Sequence, residues 1–128
     1  VVFVFGVYAG VLFVGTHWPA LRIEGPVRRP DLIVHFGAFG VWTFLLMMCG
    51  VWGRVSSWRN MGWSVVAGLV YAGFDEGLQA IPSLRRTCAW DDYAANAGGV
   101  LIAAAVVVVV ARVVGWVKGE GVGREQRS

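Results

Sequence analysis

Apolar residues fall in four long runs, at 1–18, 32–53, 61–79 and 93–117, parted by short polar stretches. A helix needs about 20 residues to cross ~30 Å of hydrocarbon. The runs at 32–53 and 93–117 meet this unaided. The run at 1–18 is shorter, but it lacks the basic opening and small-residue cleavage site of a signal peptide, so it reads as a retained helix. The chain opens on Val1 and not on methionine, which leaves its natural start open. The five valines from Val106 to Val110 would favour a strand in water. Inside a long apolar run in lipid, only a helix satisfies its own backbone. A membrane β-barrel is excluded, because its strands alternate apolar and polar residues. The expectation is an all-α polytopic membrane protein, a bundle of four transmembrane helices over 1–118 with a short polar, flexible tail at 119–128.

Four crossings put the connections on alternating sides. Side A holds the N-terminus, the loop 54–60 and the tail; side B holds the loops 19–31 and 80–92. Pro19, Pro26, Pro30 and Pro82 all fall in side B connections, where a missing N–H costs least. Trp18, Trp52, Trp58, Trp63, Trp90 and Trp116 lie at or near the run boundaries, as interfacial anchors do, and Trp42 alone is mid-span. Gly6 with Gly10, Gly68 with Ala72, Ala94 with Gly98 and Ala95 with Gly99 are small residues four apart, which let helices approach closely.

Composition agrees. Hydrophobic residues make up 57% of the 128 and charged residues 15%, against roughly 45–50% and about 25% in soluble domains. So little polar surface could not cover so apolar a chain in water, which argues against a soluble enzyme. The net charge of +3 is small and scattered, which excludes nucleic acid as a partner. Basic residues favour side A as cytoplasmic by one: Arg54, Arg59, Arg112, Lys118, Arg124 and Arg127 against Arg22, Arg28, Arg29, Arg85 and Arg86. Cys49 and Cys88 fall at opposite membrane faces, too far apart to pair, and neither has metal-ligand spacing.

Polar residues gather on one side. Ionisable groups within a span are expensive and usually functional. His35 lies one turn inside the second run, Asp75, Glu76 and Gln79 end the third, and Asp92 and Asn96 begin the fourth. All of these ends face side B. Asp75 lies 14 residues after Met61, roughly 21 Å along a helix, about 9 Å short of the far edge of the hydrocarbon. The expected feature is a shallow notch, and not a pore. Asp31 and His35, Asp75 and Gln79, and Asp92 and Asn96 are each four apart and share a face. Glu76 points about 100° away from Asp75, so the two carboxylates can serve different partners. Asp91 or Asp92 would cap the fourth helix. Buried amides such as Gln79 and Asn96 commonly act as interhelical glue. A lone His35 is more often a packing residue than a ligand, and the side B arginines are most simply solvated loop charges. Two adjacent carboxylates at membrane depth need a stronger reason: a paired cation or a proton.

The stretch Asp31-Leu32-Ile33-Val34-His35-Phe36-Gly37-Ala38-Phe39 resembles the Asp-Lys-x-x-His-Phe-x-x-Tyr signature of the VanZ-like membrane proteins. Asp75-Glu76-Gly77-Leu78-Gln79 resembles their Asp-Glu-x-x-Gln. Pro82, Arg86 and Asp92-Tyr93-Ala94-Ala95-Asn96-Ala97-Gly98 resemble their Pro…Arg…Asp-x-x-x-Asn-x-x-Gly stretch, and the four-helix frame extends the likeness over nearly the whole chain. Leu32 and Phe39 stand where the family often has lysine and tyrosine, and the longer connection leaves Arg85 or Arg86 as the matching arginine, with Arg86 favoured by its spacing to Asp92. The resemblance implies a multi-pass protein of the bacterial cytoplasmic membrane with a role in the cell envelope, and a link to glycopeptide (teicoplanin-type) antibiotic resistance.

The leading functional expectation is recognition of a phosphate-bearing lipid head group in the side B notch. Arg86 would contact phosphate oxygens, His35, Gln79 and Asn96 would hydrogen-bond, and Asp75, Glu76 and Asp92 would orient the arginine or hold a divalent cation. A second expectation is a metal-assisted hydrolase or transferase of head groups built from one histidine, two or three carboxylates and an arginine, an oxygen-rich set that favours Mg²⁺ or Mn²⁺ over Zn²⁺, with Asp75, Glu76 and Asp92 as possible ligands. It lacks a nucleophile: Thr16, Ser64, Thr87 and Cys88 have no motif around them. A third is a structural subunit whose polar residues only pack helices, in a homo-oligomer or beside a partner membrane protein. A lone transporter is disfavoured, because the polar residues reach one leaflet only.

Overall fold

The computed structural model describes residues 1–18, 30–79 and 90–125, with side chains except for Gln79 and the residues after 115. Four helices make up the described chain: α1 (Val2–His17), α2 (Pro30–Cys49), α3 (Trp58–Gln79) and α4 (Trp90–Glu125). Two of them, α2 and the Trp90–Gly115 part of α4, are long and apolar enough to cross a membrane. The apolar α1 is shorter, at 16 residues. In α3, Arg59, Asn60, Asp75 and Glu76 dilute the apolar run.

The helix ends depart from the sequence expectation for local reasons. Pro30 is the first residue of α2 and does not belong to the preceding connection. Proline suits that position, since its missing N–H would be unpaired there anyway. Asp31 follows in the first turn, where a carboxylate favours the positive end of the helix dipole. At its other end α2 stops at Cys49, short of Gly53, because Gly50 turns left-handed at φ 63° and its N–H bonds back to the Met47 carbonyl at 3.1 Å. The Ser57 Oγ accepts the Asn60 N–H at 3.2 Å, an N-cap that starts α3 at Trp58, ahead of Met61. The fully buried Asn60 side chain locks this turn: its Nδ2 donates to the Met47 carbonyl at 2.9 Å and its Oδ1 accepts from the Trp52 N–H at 3.3 Å. Helix α4 begins at Trp90, so Asp91 and Asp92 sit in its first turn and neither is the cap. It runs on to Glu125, through much of the stretch expected as a polar tail.

Contacts fix the arrangement. His35 meets Asn96, Gly40 meets Gly99, and Met47 packs with Val107, so α2 and α4 run parallel. Helix α3 runs antiparallel to both, with Gly68 against Thr43 and Val100. The α2–α4 approach is the tightest. A Cβ on Gly99 would collide with the Phe36 carbonyl and the Gly40 amide, and one on Gly40 would lie 3.2 Å from the Gly99 oxygen. Gly68 also lies close to Thr43 and Val100, and Gly98 to Phe36, whereas Gly6 and Gly10 meet nothing within 4 Å. Helix α1 buries no residue and lies against α2 and α3. Its Tyr8 hydroxyl donates to the Ala38 carbonyl at 2.9 Å, and its Phe5 ring meets Trp42 edge-on at 5.3 Å. Trp42 in turn stacks on Tyr71 of α3, which is why this one tryptophan is mid-helix and buried.

The bundle is apolar outside and partly polar inside. Phe3 is 82% exposed and Val70 67%, while Thr43, Asn60, Ser64, Asp75 and Asn96 are wholly buried. The end shared by the C-termini of α1 and α3 and the N-termini of α2 and α4 carries most of the buried charge.

Candidate functional site

Each helix contributes through its own periodicity. The buried face of α2 carries His35, Phe39, Trp42, Thr43, Leu46 and Met47, the spacing of a single helical stripe. His35 is the member of that stripe nearest the N-terminus. Asn96 lies nearly two turns into α4, four residues after Asp92, and both are buried. Asp75 and Glu76 lie about one turn from the end of α3.

Asn96 joins three helices. Its Nδ2 donates to Glu76 Oε1 at 3.2 Å, and its Oδ1 lies 3.0 Å from His35 Nδ1. An amide oxygen only accepts, so His35 Nδ1 carries the proton and donates. The same nitrogen lies 3.8 Å from Glu76 Oε1. Asp92 completes the cluster: one ligand-capable atom each from His35, Glu76 and Asp92 lie within 4.8 Å of one another, and all three residues are buried.

Asp75 serves a different partner. The Thr16 hydroxyl of α1 donates to Asp75 Oδ1 at 2.7 Å, and His17 Nδ1 lies 3.7 Å from the same oxygen. His17 Nδ1 also lies 2.8 Å from the Phe13 carbonyl, which only accepts, so this nitrogen too is a donor. The His17 ring stacks on Phe13 at 4.3 Å. A hydroxyl on a carboxylate is the minimal form of an activated nucleophile. Here the carboxylate is wholly buried between helices, and the pair fastens α1 to α3.

The sequence-derived site is thus divided. His35, Glu76, Asp92 and Asn96 come together between α2, α3 and α4. Asp75 faces α1, so of the possible cation ligands Asp75, Glu76 and Asp92, the last two lie together with His35 and Asp75 does not. Gln79 is the last residue of α3, and its side chain lies outside the described residues, as does Arg86. Thr16 and His17 were not among the expected site residues. The available signal was their place at the side B end of the first apolar run, level with Asp75.

A groove open to the outside runs between α2 and α4. It encloses about 290 Å³, is wholly apolar, and is lined by Phe36, Gly40, Phe44, Gly99, Ile102 and Val106 among others. The small side chains at the tight helix crossing leave this space. Comparison of the chain with protein families, with curated proteins and with solved structures finds no match.

Proposed function

We propose that this chain is a four-span integral membrane protein that recognises a phosphate-bearing lipid head group at the side B end of its bundle. The carrying observation is the buried His35–Asn96–Glu76 network with Asp92, set within two turns of the helix ends in a bundle whose outer surface is apolar. Large exposed apolar surface and buried polar groups together are the reverse of what water favours. In lipid, buried ionisable groups mark ligand sites more often than packing sites. The α2–α4 groove supports the reading: its lining starts at Phe36, next to His35 in the chain, and runs on to Val106, an apolar track for an acyl chain whose head group sits at the membrane face. Trp18, Trp58, Trp63 and Trp90 are exposed near helix ends, where aromatic side chains anchor in the interface. Arg86 supplies the phosphate contact in this reading, and the VanZ-like motifs agree with it as an envelope function.

The test is lipid co-purification from detergent extracts. Wild type is expected to retain a phosphate-bearing lipid, and His35→Ala and Arg86→Ala to lose it while keeping their helical content. Equal lipid in all three proteins removes the reading.

One observation favours a structural role instead. Asn96 bonds to α2 and α3 at once, which is what an interhelical amide does when it only specifies packing. Under that reading the variants lose stability, and lipid falls only in proportion to folded protein.

A further inference from the structure

We propose that His35, Glu76 and Asp92 form a coordination site for a first-row divalent cation, with Mn²⁺ or Zn²⁺ preferred over Mg²⁺. The role of this ion in head-group recognition rests on the reading above; the coordination rests on the geometry alone.

Three different helices deliver the three side chains, and every one is more than nine-tenths buried. Their ligand-capable atoms lie within 4.8 Å of one another. Ligands on an ion with bonds of about 2.0–2.2 Å are separated by roughly 3–4.4 Å. The His35 nitrogen 3.8 Å from Glu76 Oε1 is Nδ1, which holds the proton, so the ion takes Nε2 and the set closes by side-chain rotation, chiefly of the two carboxylates. Glu76 can accept from Asn96 and still coordinate, because a carboxylate has two oxygens and about four lone-pair sites.

The surroundings of His35 match those of a metal-binding histidine. Such a histidine usually donates one ring N–H to a fixed acceptor, which orients the ring and leaves the other nitrogen to the metal. His35 Nδ1 donates to Asn96 Oδ1, and Asn96 is itself held by Glu76, one of the three ligands. Asn96 thus acts as a positioning residue for two of them.

Donor type sets the choice of ion. Mg²⁺ prefers oxygen ligands and keeps most of its waters. An imidazole nitrogen with two carboxylates moves preference towards the first-row transition ions, and the two carboxylates keep Mn²⁺ in range. Three protein ligands leave positions on the ion for further oxygens. A lipid phosphate at the membrane face is the ligand chemistry that fits, because it brings negative oxygens to a cation beside existing carboxylates.

The experiment is titration of metal-free, detergent-purified full-length protein with Mn²⁺, Zn²⁺ and Mg²⁺ separately, by calorimetry and, for Mn²⁺, by electron paramagnetic resonance. Wild type is expected to take up one Mn²⁺ or Zn²⁺ and to bind Mg²⁺ at least tenfold more weakly. Glu76→Gln and Asp92→Asn, which keep side-chain volume, are expected to lose at least tenfold in affinity. Asn96→Ala is expected to lose about 10–100-fold through the orientation of His35. Asp75→Asn, whose carboxylate faces α1, is expected to bind as wild type does. Melting of every variant separates lost coordination from lost fold. Absence of Mn²⁺ and Zn²⁺ binding in folded wild type, or loss on Asp75→Asn with retention on Glu76→Gln, overturns the site. Repeating the lipid assay with a chelator separates the two proposals: lipid retained without metal overturns the ion's role and leaves head-group recognition standing, whereas metal bound without lipid overturns head-group recognition and leaves the coordination site standing.

Discussion

Asn96 holds opposite ends of a polar chain, accepting from His35 and donating to Glu76, and is itself wholly buried. Replacing it by Leu strands both partners in an apolar interior. Interhelical hydrogen bonds in membranes contribute modestly, so Asn96→Leu is expected to cost about 1–2 kcal/mol in detergent unfolding. Ser64 offers the contrast. Its buried hydroxyl has no hydrogen-bond partner among the described residues, so Ser64→Ala is expected to be neutral within about 0.5 kcal/mol, or stabilising. Equal losses in the two variants would contradict the network. At this scale the sequence was informative wherever a polar residue ended an apolar run. His35, Glu76, Asp92 and Asn96 were identifiable because successive helices alternate in direction and place those ends together at one end of the bundle. The destination of Asp75 was not identifiable, because the position of α1 around the bundle is not encoded in any helix's own spacing. An apolar helix that buries no residue has no face to reveal its neighbour.

Helix α1 is fastened by a few contacts, whereas α2 and α4 pack backbone to backbone at Gly40 and Gly99. Gly99→Ala is expected to force that crossing apart and to cost about 1–3 kcal/mol, as overpacked cores do. Gly6→Ala, with open space at its Cβ position, is expected to be neutral. The measurement is the unfolding midpoint of each variant in the same detergent; matching midpoints would contradict the crossing. The existence of all four helices was evident from the apolar runs, and three of their ends were displaced by local chemistry. Gly50 terminated α2 early through a left-handed turn, Ser57 advanced the start of α3, and Pro30 opened α2 from within the expected loop. Spacing alone paired Gly6 with Gly10 and Ala95 with Gly99 alike, and only three-dimensional contact distinguishes them. A small-residue pattern states which surfaces can approach, and not which surfaces do.

The described residues join an apolar exterior to buried charge at one end, an arrangement that suits the proposed setting of a bilayer with a ligand at its edge. Composition carried the first half of that conclusion, since 57% hydrophobic residues exceed what a small soluble core can bury. The second half depends on whether α2, α3 and α4 act as one site. A double-mutant cycle on lipid affinity tests this most directly, comparing wild type, His35→Ala, Glu76→Gln and the double variant, all reconstituted with the same phosphate-bearing lipid. If the two residues serve one ligand, each single change removes most of the affinity and the double change removes little more, a coupling of at least about 1 kcal/mol. Affinity unchanged across the four proteins would show that neither residue serves the ligand, and losses that simply add would show that the two act independently; either result contradicts the account of one joint site.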